Sequence, residues 1–113
     1  MKAPGPALRL TADYRQLQRQ LSRIGYLSQG SVLQRAPVQQ GSRYIWTRKV
    51  QAKTITVALS KQQYQWFRQA VTNQRKMERI VGQMQKLSRK ILFQTVSGPP
   101  RRKTLSKRVL GLI

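Results

Sequence analysis

Twenty-three Lys and Arg residues stand against two acids, Asp13 and Glu78, for a formal charge of +21 on 113 residues. A chain this cationic opposes its own compaction, because unscreened like charges repel. The polar filler gives no relief: sixteen Gln stand where soluble helices commonly carry Glu. A dense polyanion would remove the penalty, and nucleic acid is the commonest polyanion in a cell. The charge points to function before any local motif does.

Length and composition narrow the field further. A chain of 113 residues is one domain at most, with a modest core. Apolar residues make up 39% and fall in periodic runs, which sets the chain apart from a disordered basic tail. No stretch reaches the roughly 18 apolar residues that a bilayer span needs. The opening MKAPGPALRL lacks an apolar core for a secretory leader, so a cytoplasmic location on a nucleoid or ribonucleoprotein is expected. Cys and His are absent, which removes thiolate and imidazole metal ligands and the usual general base. Two carboxylates far apart in sequence make a poor acid/base pair. Neither an enzyme, a cofactor, a metal nor a membrane partner is expected.

The pattern predicts an α+β fold: an N-terminal helix, a small three-stranded antiparallel sheet and a long C-terminal helix, between extended basic termini. Pro4, Gly5 and Pro6 make residues 1–10 read as an extended arm. A single domain then covers 11–96. Its first helix spans 11–24, with Thr11 as N-cap, Tyr14, Leu17, Leu21 and Ile24 on one face and Gly25 as the stop. Strands follow at 31–35, 43–50 and 53–59, with Pro37 and Gly41 in the loop after the first. Gln51-Ala52 is the length of a tight hairpin turn. In the third strand Ile55, Val57 and Leu59 alternate with Thr54, Thr56 and Ala58, giving one apolar face. Both faces of the second strand are mixed, so the buried one stays open. Ser60 with Gln63 forms a capping box for a helix over 61–95. Its apolar stripe runs from Tyr64 to Ile91 and is loosest around Gln74. Ser97-Gly98-Pro99-Pro100 ends it, and 97–113 reads as a basic tail, an extended arm to be laid along a polyanion.

Cations gather along these elements. Arg15, Arg19 and Arg23 line the outer face of the first helix, without acids beside them. Arg43, Arg48, Lys49 and Lys53 belong to the hairpin. The long helix carries Lys61, Arg68, Arg75, Lys76, Arg79, Lys86, Arg89 and Lys90, and one Glu78 cannot neutralise them by i,i+4 pairing. Arg101, Arg102, Lys103, Lys107 and Arg108 fall in the tail. All except Lys61 are taken as phosphate contacts. Tyr44, Trp46 and Trp66 interleave with these cations and can either build the core or stack on unpaired bases. Tyr64 and Phe67, like Met77 and Met84, read as core.

Gly30-Ser31, Tyr44, Arg48-Lys49-x-x-x-Lys53-Thr54, Leu59-Ser60 and Asn73-x-Arg75-Lys76 carry a resemblance over roughly residues 15–93. The chain resembles a small basic bacterial and archaeal family of unknown function, with a β-hairpin before a long helix, often encoded beside transposases. Many members have a Cys-rich segment before the second strand, ending near His-Gly-Pro-Tyr. Here that loop reads QRAPVQQGSRY, so any metal-stabilised loop of the family is lost. The resemblance implies a mobile-element setting and supplies no activity.

The expectation is a non-enzymatic protein that clamps the phosphate backbone as a structural part of a ribonucleoprotein or nucleoprotein particle. RNA is slightly favoured over DNA, and other proteins of the same particle are expected partners. Alternatives are a DNA-binding accessory protein of transposition and, in another class, a helix-mediated interaction module.

Overall fold

The structure, a computed structural model, describes residues 6–35 and 43–113. Its elements are α1 (Pro6–Ser22), β1 (Ser31–Gln34), β2 (Tyr44–Val50), β3 (Lys53–Leu59), α2 (Lys61–Thr95) and α3 (Lys107–Leu110). The α+β class is as expected. Residues 1–5 of the expected arm and the loop with Pro37 and Gly41 lie outside the described residues. The chain divides into two units that share α2: Ile24–Met77, and the residues up to Arg23 with Glu78–Ile113.

In the Ile24–Met77 unit the strands form an antiparallel sheet in the order β1-β2-β3. The turn between β2 and β3 puts both Gln51 (φ 49°) and Ala52 (φ 66°) in the left-handed region, as a type I′ turn demands. Neither residue favours that conformation, which costs about 1 kcal/mol for each non-glycine residue. Replacing Gln51-Ala52 by Asn-Gly should therefore raise stability by about 1 kcal/mol, read as a higher urea midpoint. A lower midpoint would show that the turn is not the strained point of the hairpin.

The register pairs Tyr44 with Leu59, Trp46 with Val57 and Arg48 with Ile55. These side chains share one face, because alternate residues of a strand point the same way. Tyr44 lies 4.8 Å from Tyr64 and Trp46 lies 5.1 Å from Phe67, ring centre to ring centre. This is therefore the face that packs on α2, and Leu59, Ala70 and Val71 are buried with it. Ile45 is also buried, on the reverse face. The open question about β2 is thus answered on both sides. The expected apolar face of β3 is only partly used: Leu59 is buried, while Ile55 and Val57, nearer the turn, are 37% and 40% exposed.

The start of α2 is as read. Ser60 Oγ accepts from the Gln63 amide and Gln63 Oε1 accepts from the Ser60 amide, each at 3.0 Å. These reciprocal bonds satisfy two donors at the helix start. The loose region of the stripe has a geometric cause. Val71, Gln74, Met77 and Ile80 follow one another by three residues, and about 3.6 make a turn, so the inward line slips around the axis there. Gln74 is half-buried within it.

The other unit corrects three expectations. Helix α1 starts at Pro6, not at Thr11, because proline suits a first helical position where its missing N–H has no partner. Thr11 therefore lies within the helix, and Leu10 extends the half-buried line of Tyr14, Leu17 and Leu21. Gly25 does not close α1. Ser22 Oγ donates to the Arg19 carbonyl at 2.7 Å, and the Arg23 amide donates to that of Gln20 at 3.2 Å.

The third correction concerns the tail. Residues 97–113 are not all extended: Ser106 caps α3 by accepting from the Val109 amide at 3.2 Å. Gly111, at φ 72° and ψ 34°, ends it, its amide donating to Arg108 and that of Leu112 to Lys107. This pair of bonds is a Schellman motif, which glycine permits at positive φ. Arg89 Nη1 donates to the Gly111 carbonyl at 3.1 Å, tying the turn to α2. Leu110 and Leu112 are half-buried, so apolar burial as well as capping holds it.

Candidate nucleic-acid interface

Every described Lys and Arg is exposed except Lys90, which is half-buried. The cations are therefore available to an external partner, and their arrangement follows from strand register and helix period.

At the hairpin end, three successive rungs pair Arg48 with Ile55, Lys49 with Thr54 and Val50 with Lys53. Arg48 and Lys53 fall on the α2 side of the sheet and Lys49 on the reverse. The turn thus offers positive charge on both faces. Arg48 is steadied by its guanidinium carbon lying 5.3 Å from the centre of the Trp46 ring. Arg43 is exposed at the other end of β2, its Nε 3.4 Å from the Arg35 carbonyl. Within the same unit Lys61, Arg68 and Arg75 recur every seven residues, so they form one row along α2, with Lys76 to its side.

In the other unit Arg15 and Arg19 stand one turn apart on the outer side of α1, and Arg23 follows in the next turn. On α2, Arg79, Lys86 and Lys90 continue at steps of seven and four. Lys86 and Lys90 line a cleft of about 390 Å³ with Asp13, Leu17 and Leu87, so an acid sits near these two lysines. Arg89 is partly committed to holding Gly111. Arg101, Arg102 and Lys103 precede the capped turn, which itself carries Lys107 and Arg108.

The three aromatic candidates separate. Tyr44 and Trp46 each have a ring neighbour from α2, and Trp46 Nε1 donates to the Gln29 carbonyl at 2.9 Å, so both serve the core. Trp66 is 57% exposed and meets Tyr26 edge-on. Tyr26 is not legible as a site residue in the sequence, because 25–30 has neither helical nor strand period. Exposed Arg9 and Arg35 also join the cationic surface.

Chemically, these groups supply fixed charge and hydrogen-bond donors. Among the described residues no cluster of His, Cys, Asp and Glu could hold a metal ion. No described helix is long and apolar enough to cross a membrane. No family model, curated protein or solved structure matches the chain.

Proposed function

We propose that this is a non-enzymatic nucleic-acid-binding protein that clamps the phosphate backbone as a structural part of a ribonucleoprotein or nucleoprotein particle. One observation carries the reading. The chain carries a charge of +21 with two acids, and every described Lys and Arg but the half-buried Lys90 is exposed, so internal pairing cannot consume the charge. Phosphates would neutralise it and release their counterions, which drives binding. Such contacts position a protein without reading sequence, so the proposed binding is nonspecific. The family resemblance adds a mobile-element setting to the proposal. Leu92, Phe93 and Val96 are 58%, 49% and 60% exposed near the end of α2, which supports a protein neighbour in the same particle.

Replacing Arg48, Lys49 and Lys53 together by Gln tests the hairpin. Three lost phosphate contacts should weaken binding about 100-fold near 0.1 M salt and flatten the log–log salt dependence by about three. The side chains are exposed, so the variant should keep the wild-type circular dichroism spectrum. Unchanged affinity would remove the hairpin from the interface.

A further inference from the structure

Tyr26, Leu27, Ser28, Trp66, Phe67 and Ala70 line an open cleft of about 270 Å³ within the Ile24–Met77 unit. We infer that this cleft takes an unpaired nucleobase, stacked on Trp66 and Tyr26. The inference rests on the nucleic-acid reading above and deepens it, since duplex does not present a free base.

The cleft is held in shape before any ligand arrives. Asn73 Nδ2, on α2, donates to the Tyr26 carbonyl at 3.0 Å, and the Ser28 amide donates to the Ala70 carbonyl at 3.2 Å. These two bonds lace the segment before β1 onto the helix, on either side of Leu27. Tyr26 is thereby fixed beside Trp66, ring centres 6.3 Å apart and planes at 68°. A base arriving there finds aromatic surfaces already placed, so little conformational freedom is lost on binding. Both rings remain largely in solvent, Tyr26 at 78% and Trp66 at 57% exposure, and Leu27 is 48% exposed beside them. Three adjacent large apolar side chains left open mark a contact surface rather than scattered exposure.

Charge selects the occupant. A second copy would bring another +21 to the contact and be repelled. A polyanion is drawn in, and the part of it that fits an uncharged aromatic cleft is the base rather than the phosphate. None of the lining residues is charged, which separates this site from the cationic rows. Stacking there should add affinity without adding to the salt dependence, because no further counterion is released.

The test uses the full chain, freed of nucleic acid, with oligo-U, oligo-dT and a duplex of equal length, each titrated at several salt concentrations. Wild type is expected to prefer both single strands to the duplex. Trp66→Leu and Tyr26→Leu should each weaken single-strand binding about tenfold, leaving duplex affinity and all salt slopes unchanged. Trp66→Phe should restore most of the loss. A preference for oligo-U alone would assign the cleft to RNA, and equal preference to any unpaired strand. Equal losses on duplex, or unchanged single-strand affinity, would overturn the inference. So would an oligomer in sedimentation that Trp66→Leu dissolves while single-strand affinity holds, since the cleft would then seat protein. Failure of the wild type to bind any of the three ligands would instead remove the nucleic-acid reading beneath it.

Discussion

Gly30→Ala should destabilise the Ile24–Met77 unit by about 4 kcal/mol, enough to leave a large share of it unfolded at room temperature. Gly30 sits at φ 104°, a backbone conformation that L side chains rarely adopt. A β-carbon there would stand 2.3 Å from the Thr47 carbonyl oxygen and 2.7 Å from Trp46 Nε1. The first neighbour is backbone within β2, paired with Ser31, so it cannot move without breaking the register. The second is the indole nitrogen that donates to Gln29, so relief on that side costs a hydrogen bond.

The unit has little reserve to absorb this. Among its described residues the buried apolar ones are Ile45, Leu59, Ala70 and Val71, none with a side chain wholly removed from solvent. Urea unfolding followed by tryptophan fluorescence reads the effect, since both Trp46 and Trp66 belong to this unit. A loss below about 1 kcal/mol would mean that the close approach of Gly30 to β2 is not what seats the sheet.

The parts of the fold legible in sequence are those whose determinants lie close together in the chain. Ser60 and Gln63 announce the start of α2 because a capping box needs only residues three apart. The β2–β3 hairpin is legible because alternation stops at Val50 and resumes at Lys53, leaving room for two residues. Where one residue type serves two conformations, the local pattern does not decide between them. Pro6 fits an extended arm as well as a first helical turn, and the choice falls to helix with Leu10 in line with Tyr14. Ser106 and Gly111 bracket α3 in the sequence, but the density of Arg and Lys around them favours a solvated tail.

The candidate interface divides in the same way. Composition names the cations, whereas only register shows Arg48, Lys49 and Lys53 on adjoining rungs with charge on both faces. Tyr26 and Trp66 meet through a bond from Asn73, 47 residues along the chain from Tyr26, and no local pattern encodes such a contact.

The central claim concerns charge, and counterions measure it. If about eight phosphates are engaged, the logarithm of affinity for duplex DNA should fall with the logarithm of salt at a slope of roughly −7. Between about 50 and 200 mM monovalent salt that is a loss of about ten-thousandfold, far beyond any single substitution at the surface. An apolar or helix-mediated partner releases few ions, and its affinity would change little over the same range. The decisive measurement is therefore the binding constant of the nucleic-acid-free chain for a duplex across that salt range. The account predicts a slope near −7; one shallower than about −2 would contradict it.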